Sequence, residues 1–199
     1  MTASDREHRS ASEERSVNPP QQRISLTVNG ERVTRHVEPR RHLIDFLRLD
    51  LGLTGSHAGC EHGVCGACTV RVDGEIVRGC LVLAASLDGA DVVTIEGLSD
   101  SGEVADLQAN FVARNAAQCG FCTPGMIMTA ADILAHAEEA GGGTPSRAEI
   151  REHLSGNYCR CTGYQAIVDA VEDTLKARHL AADSDLRAVP ALQSSEASR

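Results

Sequence analysis

All eight cysteines of the chain fall into two groups of four. The first group is spaced Cys60-x4-Cys65-x2-Cys68-x11-Cys80 and the second Cys119-x2-Cys122-x36-Cys159-x-Cys161. Four thiols that share one centre dictate which loops of a fold must meet, and here that requirement is made twice. No cysteine is left over, so every thiol is accounted for by these two groups.

Around those groups the composition sets limits. The 199 residues suffice for one large domain or two small ones. Residues 1–22 are polar and charged without an apolar period, and residues 181–199 are rich in Ala, Ser and Asp. Both read as disordered tails, because neither buries enough apolar surface to offset its ordering entropy. Roughly 160 residues remain, enough for two domains whose small cores are only marginally stable. Aromatic content is 3% with no Trp, so bound metal centres are expected to support each half. A net charge of −9 argues against nucleic acid, which calls for a clustered Lys/Arg face. No apolar run approaches a membrane span, and no basic region with an apolar core marks a secretory signal. The pair Arg40-Arg41 leads into Asp45, Arg48 and Asp50, a charged segment that reads as a helix start. A cytoplasmic chain is therefore expected, where cysteines favour metal or redox chemistry over structural disulfides.

The patterning changes part-way along. Ile24 to Val28 alternates apolar and polar, Asn29-Gly30 supplies a hairpin turn, and Arg32 to Val37 reads as the partner strand. Leu43, Ile44, Phe46, Leu47 and Leu51 lie at helical spacing up to Gly52. Thr69 to Val72, Asp73-Gly74 and Glu75 to Val77 give a second hairpin, and Val92 to Ile95 a last strand. Beyond Asp100 the period is helical. Leu107, Phe111 and Val112 are read as one face; Thr123-Pro124 and Thr144-Pro145 are read as helix starts. Ile150 and Leu154 precede a stop at Gly156, and Ile167, Val168, Val171 and Leu175 mark a last helix. The expectation is an α+β chain, with a small sheet domain over residues 23–98 and an all-helical domain of about four helices over 103–178. The boundary is placed near Gly97 to Gly102.

The first cysteine spacing is that of plant-type ferredoxins, in which four thiolates hold a [2Fe-2S] cluster. Backbone N–H groups aimed at the sulfurs stabilise such a cluster's negative charge. The turns involved favour positive φ, so Gly59, Gly63 and Gly66, interleaved with the cysteines, fit the need. Zinc usually asks for paired C-x2-C knuckles, which are lacking in this group. The second group is less decisive. Cys119-Gly-Phe-Cys122 resembles a dithiol redox motif, but its helical surroundings are not the βαβ setting that motif requires. Each cysteine pair lies at a helix junction, where unpaired N–H groups suit an anionic cluster. From spacing alone a four-cysteine zinc site stays open there.

Three segments together carry a specific resemblance: Gly59-Cys60-Glu-His-Gly-Val-Cys65-Gly-Ala-Cys68-Thr69, Gln118-Cys119-Gly-Phe-Cys122-Thr-Pro-Gly125, and Gly156-Asn-Tyr-Cys159-Arg-Cys161-Thr-Gly-Tyr164. In order and content they resemble the iron–sulfur subunit of the molybdenum hydroxylases, the xanthine dehydrogenase and aerobic carbon monoxide dehydrogenase family, from about Ile24 to Leu175. The resemblance implies a β-grasp ferredoxin domain followed by a four-helix bundle, each with one [2Fe-2S] cluster. It implies that Cys119, Cys122, Cys159 and Cys161 receive electrons from a molybdenum-pterin cofactor and that Cys60, Cys65, Cys68 and Cys80 pass them towards FAD. Gln118 is implied to contact the pterin, as is a main-chain group near Cys161; a bland alternative is that Gln118 caps a loop. The cofactors would sit on a large molybdenum subunit and a medium flavoprotein subunit, often as a dimer of heterotrimers, with no substrate-binding catalytic site on this chain. His57 and His62 are expected outside the ligand set, Arg160 as a local charge partner or interface residue, and Tyr158 and Tyr164 as packing. Gly79, where such subunits often have serine, is a small departure. A stand-alone ferredoxin or sensor would explain the first group but not the helical domain. A zinc-stabilised interaction protein would explain the thiols but not the plant-type spacing.

Overall fold

The computed structural model describes residues 19–139 and 144–188. The Gly141 to Gly143 loop and most of both tails therefore lie outside the described residues.

The first half is built on a five-stranded mixed sheet in the order β2-β1-β5-β3-β4. Strands β1 (Gln22–Val28) and β2 (Glu31–Val37) form the first hairpin, with Val28 opposite Glu31. Asn29 and Gly30 both take positive φ, 51° and 82°, as a two-residue turn between twisted strands requires. Strands β3 (Thr69–Val72) and β4 (Glu75–Arg78) repeat the device around Asp73 and Gly74. Strand β5 (Asp91–Val93) enters between the hairpins, parallel to β1 and antiparallel to β3. The alternation in β1 buries Ile24, Leu26 and Val28 against Leu43, Phe46 and Leu47.

Those last three residues belong to α1 (Leu43–Asp45) and a π-helical turn, Phe46–Asp50, that continues it. The expected helix from Leu43 to Leu51 is thus shorter and wider, closed by Leu51 N–H on the Phe46 carbonyl at 3.2 Å. The sequence period did not anticipate the wider turn. Leu43, Phe46 and Leu47 face the sheet, whereas Ile44 packs on Cys68 and Cys80. One element thereby supports both the sheet core and the first cysteine group. Arg41 and Arg40, just ahead of it, pair with Asp50 and Glu38 at 3.5 and 3.1 Å.

The second half is helical: α2 (Ile95–Asp100), α3 (Ala105–Ala113), α4 (Thr123–Glu139), α5 (Arg147–Leu154) and α6 (Gln165–Ala188). Its core gathers Leu98, Leu107, Phe111, Met126, Ile150 and Val171, among others. Several details differ from expectation; Val112, read on one face with Leu107 and Phe111, is exposed while those two are buried. The strand expected to end at Ile95 ends at Val93, because Ile95 and Leu98, one helical turn apart, are buried in the helical core instead. Helix α5 starts after Ser146 rather than at Thr144-Pro145, since Ser146 and Glu149 form a reciprocal capping box that satisfies two orphan N–H groups. Helix α6 runs to Ala188, past the last apolar positions that marked it. No described helix is long and apolar enough to cross a membrane.

Candidate metal centres

The first cysteine group is assembled by the loop between the π turn and β3, and by the chain just after β4. Cys68 and Cys80, each 2% exposed, anchor it in the interior against Ile44. Cys60 and Cys65 lie nearer the surface. The thiols meet in pairs, Cys60 with Cys65 and Cys68 with Cys80, and Cys65 is close enough for its charge to act on Cys68. Backbone donors converge on the sulfurs: Gly63 N–H reaches Cys80 Sγ at 3.2 Å, and Val64 and Cys65 N–H reach Cys60 Sγ at 3.3 and 3.4 Å. Gly63 and Gly66 supply the positive φ this loop needs, 84° and 74°. Gly59 does not; its role is space, because a Cβ there would stand 3.0 Å from Cys65 Sγ. Main-chain donors, the His62 N–H foremost, pull the Cys60 thiol down to about 6. Burial pushes the Cys68 thiol up to about 11.

The second group sits on two helix starts. Cys119 and Cys122 flank Gly120, at φ 85°, and the Cys122 carbonyl accepts the Met126 N–H at 2.9 Å as α4 begins. Cys159 and Cys161 lie in the connection leading into α6. Cys119 meets Cys161 and Cys122 meets Cys159, again two and two. The Thr162 hydroxyl donates to Cys159 Sγ at 3.1 Å, and the Tyr164 hydroxyl accepts the Cys159 N–H at 2.9 Å. The Phe121 N–H lowers the Cys119 thiol, and burial raises Cys122 to about 12. Burial also works upwards on Cys159, but hydrogen bonds from Thr162 outweigh it, so that thiol is lowered. Cys161 is raised through its hydrogen bond to Cys119. Helix α4 starts at Thr123 itself, and the Thr123 hydroxyl is buried without a hydrogen-bond partner among the described residues. Thr123 therefore does not act as the expected cap.

The two groups are neighbours across a tight seam. Tyr158 N–H donates to the Cys65 carbonyl at 2.8 Å, and the Asn157 amide donates to the Gly66 carbonyl at 3.3 Å. Arg78, at the end of β4, donates to Thr69 on its own sheet and to Gly156 O and Asn157 Oδ1 across the seam at 2.8 and 3.0 Å. Thr129 of α4 donates to Asn157 Oδ1 at 3.1 Å. The His57 ring stacks on Phe121 with centroids 4.9 Å apart, and its Nδ1 lies 2.8 Å from the Phe121 carbonyl.

Among the residues picked out from the sequence, all eight cysteines are brought into these two groups. His62 contacts the Cys60 carbonyl. Gln118 is exposed beside the exposed Cys119, and Arg160 is exposed beside the exposed Cys161. Tyr158 is 55% exposed and acts through its main chain, while Tyr164 packs on the helical core. Sequence reasoning passed over Arg78, Asn157 and Thr162. Asn157 and Thr162 lie inside the quoted Gly156-to-Tyr164 segment, so a signal existed for them; Arg78 has none, being one charge at the end of a strand.

Residues 26–93 match the family described as "2Fe-2S iron-sulfur cluster binding domain", and residues 94–172 the family described as "[2Fe-2S] binding domain". The chain is 47% identical over 168 residues to caffeine dehydrogenase subunit gamma of Pseudomonas sp. (strain CBB1), covering 82% of this chain and 96% of that relative. It is 43% identical over 155 residues to the xanthine dehydrogenase iron-sulfur-binding subunit of Escherichia coli O157:H7, covering 78% and 95%. Among solved structures, quinoline 2-oxidoreductase from Pseudomonas putida 86 aligns with a TM-score of 0.73 and 48% identity, covering 81% of this chain and 97% of that one. With both domains matched, and with two relatives covered over 96% and 95% of their own length, the chain belongs to the small iron–sulfur subunits of the molybdenum hydroxylases.

Proposed function

We propose that this chain is the electron-transfer subunit of a molybdenum-containing hydroxylase or dehydrogenase complex. The observation that carries the reading is the placing of two four-thiol groups side by side across a hydrogen-bonded seam, each with donors aimed at its sulfurs. Cys60, Cys65, Cys68 and Cys80 would hold one [2Fe-2S] cluster, and Cys119, Cys122, Cys159 and Cys161 the other. Among the described residues no three His, Cys, Asp or Glu side chains close on one point as around a single metal ion. Thiols set out two and two suit a binuclear centre, whereas tetrahedral zinc needs four ligands about 2.3 Å from one point. The unpartnered Thr123 hydroxyl beside Cys122 suits an added sulfur acceptor.

When bound, such clusters supply one-electron carriers that connect a molybdenum-pterin cofactor to FAD, both held by partner subunits. This chain's residues fix where those carriers sit and tune them. The Gly63, Val64 and Cys65 amides offset negative charge at the first group, and the start of α4 offers the same at the second. Gln118 would contact a pterin on the large subunit, a reading its exposure next to Cys119 supports. The finer architecture is a β-grasp domain over residues 23–98, whose closing helix α2 packs into the helical core, and a four-helix bundle over 103–178, working in the cytoplasm within a dimer of heterotrimers.

Iron, sulfide and zinc analysis with EPR of the dithionite-reduced, co-purified complex tests this. About four irons per chain and two distinct [2Fe-2S] signals are expected, with molybdenum and flavin present. Zinc without an EPR signal would overturn it.

A further inference from the structure

One residue holds the seam between the two thiol groups without belonging to either. Arg78 reaches from β4 with one guanidinium nitrogen on Thr69 and the other on both Gly156 O, at 2.8 Å, and Asn157 Oδ1, at 3.0 Å. Thr69 and Asn157 are each 1% exposed, so the fork closes on buried acceptors. The loop it grips is also held by Asn157, whose amide donates to the Gly66 carbonyl at 3.3 Å and whose Oδ1 accepts from Thr129 at 3.1 Å, but its two flanking residues add no side-chain anchor. Gly156 has no side chain, and the Tyr158 side chain is 55% exposed. A Cβ on Gly156 would stand 2.6 Å from the Arg78 guanidinium, so the approach is as close as backbone allows.

What that grip secures is one backbone hydrogen bond. Tyr158 N–H donates to the Cys65 carbonyl at 2.8 Å. Tyr158 is joined by a peptide bond to Cys159, so a single hydrogen bond links a residue of the first thiol group to a neighbour of the second. Arg78 is also unusual in its charge. Among the described residues its partners are neutral oxygens, with no carboxylate facing it. A half-buried cation without a counter-ion is costly, and anionic clusters at the thiol groups that adjoin its partners Thr69 and Asn157 would offset that cost.

We propose that Arg78 is a positioning residue: it clamps the Gly156 to Tyr158 loop onto the Cys65 to Thr69 segment, keeps the Tyr158-to-Cys65 hydrogen bond closed, and places a positive charge between the two centres. The clamp rests on the reading of those thiols as two iron–sulfur sites. With [2Fe-2S] clusters held by the two thiol groups, one electron would leave the centre held by Cys159 for each one entering the centre held by Cys65. No bond forms or breaks, substrate oxidised at molybdenum supplies the electron, and FAD on the partner takes it up.

The test compares wild type, Arg78→Met and Arg78→Lys in the co-purified complex. Three quantities are read: iron and sulfide content, hydrogen exchange at the Tyr158 amide, and midpoint potentials of both centres by EPR titration. Arg78→Met is expected to keep both EPR signals while the Tyr158 amide exchanges about tenfold or more faster, because charge-assisted hydrogen bonds no longer hold the loop. Both midpoint potentials fall, since a cation that favours the reduced states is gone. Arg78→Lys restores the potentials but not the exchange protection, because an ammonium lacks the fork. Wild-type exchange and unchanged potentials in an iron-replete Met variant would overturn the proposal. If Arg78→Met does not fold, Arg78→Lys decides alone: faster exchange at wild-type potentials supports the clamp, and wild-type exchange overturns it. Zinc in the wild-type protein would sink the reading of the centres, while exchange at Tyr158 would still decide whether Arg78 closes the seam.

Discussion

Arg178 on α6 grips Asp106 on α3 with two parallel hydrogen bonds, Nε to Oδ2 and Nη2 to Oδ1, each 2.8 Å. The same side chain reaches Glu138 of α4 at 3.0 Å and the Glu103 carbonyl at 2.7 Å. One guanidinium therefore ties three helices together, in the forked geometry that makes Arg–carboxylate pairs specific. Arg178→Ala should lower stability by about 1 kcal/mol, the partly exposed setting keeping the figure small. The hydrogen bond from Arg178 holds the Asp106 carboxyl below the usual carboxylate range. A depressed folded value means the stabilisation is present above the unfolded pKa of about 3.9 and is lost as pH falls through the lower folded one. Thermal unfolding of wild type and variant at pH 7 and at pH 3 checks this. The gap between them should narrow at the lower pH; a gap that widens in acid would contradict the assignment.

Gly66 meets two demands at once. Its φ is 74°, and a Cβ there would stand 2.7 Å from the Gly156 carbonyl across the seam. Gly66→Ala is expected to cost at least about 2 kcal/mol, combining left-handed strain with overpacking against backbone. Iron content should fall with it, because the residue separates Cys65 from Ala67 and Cys68. A variant with full iron and an unchanged melting temperature would show that the seam yields more than its geometry suggests.

Cys161→Ala, which leaves no ligating atom, should empty one centre and spare the other. Cys161 and its contact Cys119 are both exposed, and neither takes part in the buried Cys68 and Cys80 packing around Ile44. About two irons per chain and a single [2Fe-2S] signal are the expected outcome. Flavin reduction by substrate should be lost in the same variant. Wild-type rates of flavin reduction would refute the order of the relay.

Phe111 carries the helical core on a short helix. It is 2% exposed and packs within the cluster that includes Leu107, Met126 and Val171. Truncation to Ala should cost about 3–5 kcal/mol, the usual penalty for emptying an aromatic core site. In urea the helical half should then unfold first, with loss of the second EPR signal before the first. Simultaneous loss would mean the two halves unfold as one unit.

The chain's local order was largely legible in one dimension because its signals are local. Asn29-Gly30 and Asp73-Gly74 name their turns, since both residues of each pair take positive φ, and the cysteine spacings name their own partners. Where a choice between neighbouring signals had to be made, packing decided. Ile95 leaves the strand for a helix because its side chain is buried in the second core, and Ser146 rather than Thr144 caps α5 because Glu149 is there to answer it. Gly59 read as a turn residue, yet it is needed only for the space beside Cys65 Sγ.

What no spacing announced is the seam. Sequence alone determined which thiols group and which halves of the chain carry them, because ligand spacing and side-chain period are properties of a short stretch. The meeting of Arg78 with Asn157, and of Tyr158 with Cys65, joins positions 79 and 93 residues apart. Such contacts follow from how a sheet and a set of helices pack together, so only the tertiary structure decided that the two centres would be neighbours and what would hold them there.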